Sequence, residues 1–336
     1  MLIKRLCNAC GVSGDEGEVR DIIAAEVKDF CDELTVDSMG NLIAFKRGGS
    51  HDKKVMLAAH MDEVGVIVSG VTDKGYLEFK TVGGIDTRVI ISKKVLVGKK
   101  KIQGVIGMKA VHLLSKTERS DVPKVKSLYI DIGAKDKEDA LNSISLGDYV
   151  SFDTEYADFG SGLIKAKAID DRAGCAVLVD LVKTEVEYDT YFCFTVQEEV
   201  GTRGARAAAY RINPDIALVL EATTCADVHE SPDYAHVTEL GRGVAISFMD
   251  RVTIVNQKMI DYLEGCADGI EHQFKQTTMG GNDAGAIHLS REGVPTASIS
   301  VPCRYLHSPV GVASKADIES MRMVAENFLK KIREVI

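Results

Sequence analysis

The sequence predicts a layered α/β/α fold on a mixed, largely parallel sheet, with a small β-barrel-like domain inserted into it. Three observations carry this. Beyond about residue 166, apolar runs alternate with helical patterns. Between about 66 and 165 the texture changes to short β-like pieces split by turn signals. Several apolar runs outside that region end on acids or histidines, in the manner of strands whose carboxyl ends line a crevice.

The elements follow in order. Asp15 with Glu18 three residues on signals a helix that carries Val19, Ile22, Ile23, Val27 and Phe30 on one stripe. LTVD, a turn at Met39-Gly40-Asn41, and LIAF read as a strand pair. KVMLAA at 54–59 is apolar without alternation, as expected of a strand buried on both faces. The inserted region supplies VGVIVSGV, YLEFKTV, KKVLVG, KIQGVIG, SLYIDIG and DYVSFD. After it, RAGCAVLVDLVK is apolar almost all round and predicts a buried helix. DTYFCFTVQEE, IALVLEATT and GVPTASISVP read as strands, and TRGARAAAYR as a helix. The last helix begins at a Ser314…Asp317 capping box and turns Ile318, Met321, Ala325, Phe328, Leu329 and Ile332 inward. The expected domains are residues 1–65 with 166–336, and the insert 66–165.

With 336 residues, 45% of them hydrophobic, the chain is long enough for two domains. A net charge of −9 argues against nucleic acid as a partner. No segment approaches the roughly 18 apolar residues of a membrane span. MLIKRLCNAC lacks an apolar region followed by a cleavage site, so a cytoplasmic location is expected. Most of the eight cysteines lie in apolar stretches, where reduced, buried thiols are expected. Cys7 and Cys10 form a lone CxxC with no second pair at zinc-site spacing.

Five places share one context. VMLAAHMDEVG ends on His60, Asp62 and Glu63, and KAKAIDDRAG sets Asp170-Asp171 just before the buried helix. YFCFTVQEEVG puts Glu198-Glu199 at a strand end, DIALVLEATT puts Glu221 at the next, and ISVPCRYLHSP puts His307 in the loop after a third. Taken singly, each has a plainer reading as a satisfied polar residue or a solvated turn. Together they favour a metal hydrolase. Several carboxylates at one apolar-lined site cannot all ionise without a cation. Two histidines with carboxylates and no cysteine suit Zn²⁺, Mn²⁺ or Co²⁺. The ligands suffice for two ions about 3.5–4 Å apart sharing one carboxylate, an arrangement that activates water. In Glu198-Glu199, one residue then ligates and its neighbour serves as general base.

AHMDEVG, AIDDRAG, TVQEEVGTRGA, LEATT, GGNDAGAIHLSREGVPTASISVPCRYLHSP and the early VDSMGNL together resemble the M42 family of dinuclear metallo-aminopeptidases, the group that includes the tetrahedral aminopeptidases. The resemblance runs in order over nearly the whole chain. It implies that Asp170 bridges two divalent ions, Zn²⁺ or Co²⁺ with Mn²⁺ also accepted. His60 and Glu221 would complete one ion and Glu199 and His307 the other, with Glu198 as general base. Asp62 would hold His60 in the ligating tautomer, and the 170–171 peptide would be cis. The resemblance further implies short peptide substrates, dimers formed through the insert, and commonly a twelve-subunit shell. The connection around His112 would then lie near a neighbouring subunit's site. Two positions depart from the family pattern: Glu221 where Asp is frequent, and Asn282 where Thr is common.

Other readings compete. A deacylase of N-acyl amino acids keeps the site and changes the substrate. A glycoside hydrolase needs only two carboxylates. It leaves His60 and His307 without a role, and 6% aromatic content with no Trp gives few sugar-stacking platforms. A non-catalytic metal-binding assembly protein has no use for Glu198.

Overall fold

The computed structural model describes residues 1–335. The strand Ser50–His60 shows how the sequence makes the central layer. Val55, Leu57 and Ala59 enter one apolar cluster while Met56 and Ala58 enter another. Successive side chains of a strand point to opposite faces, so an unbroken apolar run requires cover on both sides. Helices Ile169–Val182, Gln257–Cys266 and Lys315–Lys330 supply it on one face, and Arg203–Ile212 with Asp283–Ile287 on the other.

Four parallel strands form the middle of the sheet, in the order Tyr188–Thr195, Ser50–His60, Ile216–Thr224, Thr296–Arg304. Antiparallel strands flank them, among them Leu42–Lys46 on one side and Gly311–Ser314 on the other. The four parallel strands therefore end at one edge, where their side chains converge.

The chain leaves the sheet at His60, and four residues later Gly65–Val71 opens a closed antiparallel barrel. Its other strands are Leu77–Val82, Leu128–Asp131, Ile102–Met108, Lys94–Val97 and Tyr149–Phe152, in that order round the barrel. Val66, Val68, Phe79, Ile106, Ile130 and Val150 fill its interior. The six short pieces of the insert are thus the six barrel strands. The barrel ends at Phe152, however. Most of Ala157–Phe159 and Leu163–Ala166, assigned to the insert from the sequence, joins the edge of the large sheet instead: Leu163–Ala166 pairs with Gly311–Ser314, and Ala157–Phe159 pairs with Leu163–Ala166. Short strands separated by glycine turns look alike in sequence whichever sheet they join.

Other local expectations shift. The early helix runs Gly17–Val27 without a side-chain cap, so Asp15 and Glu18 form no capping box, and Phe30 lies beyond it, exposed. Ser314 does cap the last helix. Asp317, the other half of that expected box, instead accepts the Gly241 and Gly243 N–H groups at 2.7 and 2.9 Å. Among the described residues, no helix is long and apolar enough to cross a membrane.

Candidate metal centre

His60 ends its strand opposite Thr195 of the neighbouring strand, and the ring is buried. Its Nε2 lies 3.1 Å from Asp170 Oδ1 and 3.3 Å from Glu221 Oε1. Its Nδ1 faces the Asp62 carbonyl at 3.2 Å and Asp62 Oδ1 at 3.5 Å. The other oxygen of Asp170 lies 3.5 Å from His307 Nε2, which is 3.2 Å from Glu199 Oε2. Two groups result, His60–Asp170–Glu221 and Asp170–Glu199–His307, each with its ligand atoms within 4.8 Å of one another. Each offers one imidazole and two carboxylates, and Asp170 belongs to both.

The backbone that presents these groups is unusual at each turn. Ala168, Gln197, Tyr305 and His307 all hold positive φ, between 52° and 61°. Non-glycine residues in that region cost energy and cluster at functional sites. Asp170 and Asp171 are non-helical at the start of their helix, and the peptide between them is cis.

Neighbouring side chains hold the turns. Asn41 is fully buried, accepting the Val196 N–H at 3.0 Å and donating to the Gly204 carbonyl at 2.9 Å, so the Met39-Gly40-Asn41 turn braces the 196–204 loop. Asp62 accepts the N–H groups of Glu198 and Glu199 at 3.0 and 3.1 Å and the Ser13 hydroxyl at 2.6 Å. Its position therefore serves the Glu198-Glu199 turn as well as His60, a link the sequence does not display.

The electrostatics describe a site short of positive charge. Burial, and then the Asp170 charge, pushes Glu199 up to about 8. Burial likewise raises Glu221 to about 7, although His60 pulls the other way. Burial also lifts Glu198 well above the usual carboxylate range. Asp170 is held low: burial opposes its charge, but His307 and His60 outweigh it, and against burial His60 likewise holds Asp62 low. Divalent ions fit this donor set, since they would supply the charge that now must come from protons. Glu221 Oε2 is buried without a hydrogen-bond partner, as a ligand oxygen awaiting a cation would be.

A cavity of about 410 Å³ opens on the cluster, lined by Glu198, Glu221, Asp170 and His307 together with Lys275 and Met279 among others. Glu198 belongs to neither ligand group but faces the same space. Asp283 lies below, buried, accepting the Thr195 hydroxyl at 2.6 Å. Residues in neither group include Cys225, which is buried and takes the Thr238 hydroxyl, and His112, exposed on the turn Val111–Leu113. Cys7 and Cys10 form no disulfide, and burial pushes the Cys7 thiol up to about 12, which makes Cys7-Cys10 a poor metal or redox pair.

A family profile described as M42 glutamyl aminopeptidase matches residues 40–324. The chain belongs to the M42 peptidase family. It is therefore a peptide hydrolase of the aminopeptidase type. Solved M42-like structures superpose along nearly its whole length. A TET aminopeptidase from a marine-sediment Thaumarchaeota archaeon is 34% identical with a TM-score of 0.96, covering 99% of this chain and 97% of its own. The TET1 peptidase of Pyrococcus horikoshii, described as assembling into a tetrahedron or a large octahedral shell, is 33% identical with a TM-score of 0.86, covering 98% and 99%. A Thermotoga maritima protein named as an endoglucanase is 36% identical with a TM-score of 0.83, covering 99% and 98%.

Proposed function

We propose that this M42 aminopeptidase removes N-terminal residues from short peptides with two divalent ions, Asp170 bridging them. His60 and Glu221 complete one ion, and Glu199 and His307 the other. The observation that carries this reading is the sharing of one carboxylate, Asp170, between two otherwise separate acid–histidine groups. Ions held there supply Lewis acidity for the peptide carbonyl and lower the pKa of water.

The chain's own residues do the rest. Glu198 takes a proton from the attacking water and delivers it to the departing amine, as its place on the cavity and its burial-raised pKa suit. Asp62 holds the His60 ring and the Glu198-Glu199 turn in register. Zn²⁺ or Co²⁺ fits two imidazoles with carboxylates best, and Mn²⁺ is acceptable. The barrel is proposed to carry dimer contacts within a larger shell, supported by the tetrahedral assembly of the Pyrococcus horikoshii neighbour. Buried thiols such as Cys7, Cys175, Cys193 and Cys303, which form no disulfide, support a reducing, cytoplasmic setting.

The endoglucanase name on one neighbour does not transfer well. Among the described residues, no Phe, Tyr or Trp lines the 410 Å³ cavity, and Tyr305 and Phe152 reach only the small cavity on the Asp170–Glu199–His307 side, so a sugar ring in the larger cavity would find no stacking platform. The test is a chelator-reversible assay on aminoacyl-p-nitroanilides and carboxymethylcellulose side by side. Metal-restored cleavage of the anilides alone supports the reading, and cleavage of the polysaccharide alone overturns it.

A further inference from the structure

Beside the acid–histidine groups, with Glu63 and Lys167 bordering the same small cavity of about 20 Å³ as Asp170, Glu199 and His307, lies a second group of charges that the chemistry above does not use. Glu63 is 2% exposed, Lys167 2% and Arg172 0%. The Glu63 carboxylate receives Lys167 Nζ at 2.7 and 2.8 Å and the Gly11 N–H at 3.0 Å, with the Arg172 guanidinium 3.6 Å away. Lys167 also donates to the Ala9 carbonyl at 2.6 Å, and Arg172 to the Leu6 carbonyl at 2.6 Å.

Stability alone is a weak reason for such a group. Burying charges costs desolvation, and well-packed apolar replacements are often neutral or better. The placement offers a stronger reason. Glu63 sits in the four-residue link 61–64, immediately after the His60 turn. Lys167 and Arg172 bracket Asp170, three residues before it and two after, around the left-handed Ala168 and the non-helical pair 170–171. The ion pair therefore joins the two turns that carry ligands of a single predicted ion. The same N-terminal segment that accepts from Lys167 and Arg172 also reaches the cluster from Ser13, through the Asp62 carboxylate.

We propose that Glu63, Lys167 and Arg172 form a positioning latch that fixes the 60–64 turn against the 167–172 turn. The latch thereby sets the separation of His60 and Asp170 for the ion they share with Glu221. None of the three is placed to touch substrate; they act through the ligands. This assignment rests on the two-ion reading of the site.

The test compares the full-length chain with Lys167→Met, the milder Glu63→Gln, and the apolar double variant Glu63→Leu/Lys167→Met. Zn²⁺ stoichiometry and affinity are read by chelator competition, Tm on metal-free protein, and kcat and KM on a dipeptide. For Lys167→Met the latch predicts the Zn²⁺ held by His60 and Glu221 weakened by about 10–100-fold, the range for groups that orient ligands, with the other, which shares only Asp170 with it, weakened less. It predicts a fall in kcat with KM little changed. In the double variant Tm should recover in part, Arg172 keeping its charge and its bond to the Leu6 carbonyl. The weakened Zn²⁺ site should not recover at all, which a purely structural role would not produce. Should Lys167→Met fail to fold, Glu63→Gln, which keeps the shape and loses the charge, carries the same prediction. Variants that lose Tm yet bind both ions with unchanged affinity and turn over normally when loaded overturn the latch. If the unsubstituted chain binds no divalent ion, the two-ion reading falls, and the latch with it.

Discussion

The Glu198 N–H donates to Asp62 Oδ1 at 3.0 Å, so a residue two beyond one strand end holds the backbone of a residue three beyond the next. The same carboxylate reaches the Glu199 N–H and lies 3.5 Å from His60 Nδ1. One buried acid thus registers a predicted ligand, a predicted base and a second ligand at once. Asp62→Asn keeps one acceptor oxygen and puts a donor against the other of the two N–H groups. Its kcat should fall by about 10–100-fold with some loss of metal affinity, as steady-state kinetics and metal analysis would show. Wild-type kinetics in that variant would leave Asp62 with no positioning role.

Glu198→Gln should keep both ions and lower kcat by roughly 10² or more, the usual scale for a lost general acid–base. Glu198 faces the cavity yet belongs to neither ligand group. Were the mutant to lose metal while Glu199→Gln kept it, the two roles would be reversed.

The pH response of the metal-free protein follows from the cluster. Glu199 and Glu221 are raised to about 8 and about 7, and His307 to about 9. All three shifts are upward, so each favours the folded state at low pH, and that stability is lost as pH rises through the folded values. Metal-free Tm should therefore fall between about pH 5 and 9, and the gain in Tm on adding Zn²⁺ should widen over the same window as the carboxyls give up their protons. Calorimetry with and without chelator measures both. A metal-dependent gain that shrinks with rising pH would contradict the assignment of these groups.

Barrel excision tests assembly. Val66 pairs with Val150, so the chain enters and leaves the barrel side by side and a short linker can replace residues 65–152. The shortened chain should run as a monomer by light scattering with its sheet intact by circular dichroism. A particle of unchanged size would move the assembly contacts to the sheet domain.

Much of this was legible in the sequence because burial leaves a plain mark. An unbroken apolar run such as KVMLAA can only be a covered strand, and an acid or histidine at its end can only be a turn or a site. His60, Glu221, His307 and the pairs Asp170-Asp171 and Glu198-Glu199 were found that way; the family resemblance then singled out Asp170 and Glu199, and the structure brings these five into two groups. What escaped depends on contacts distant in sequence. Glu63 looks like one more charge in HMDEVG until Lys167, 104 positions away, is seen against it. Asn41 reads as part of a hairpin turn, and its role in bracing 196–204 appears only in three dimensions. The insert boundary at 165 lies past the barrel's last strand because strands at 157–159 and 163–166 have the texture of the barrel while pairing with each other and with Gly311–Ser314.

The central claim is that one carboxylate serves two ions, and metal stoichiometry in single ligand variants tests it most directly. Wild-type protein, Glu221→Gln, Glu199→Gln and Asp170→Asn would each be loaded with Zn²⁺, freed of excess and analysed for ions per chain. The account predicts two for wild type, about one for Glu221→Gln and for Glu199→Gln, and the loss of both for Asp170→Asn. Two tightly held ions in Asp170→Asn would show that the two groups are independent, and the shared-carboxylate account would fail.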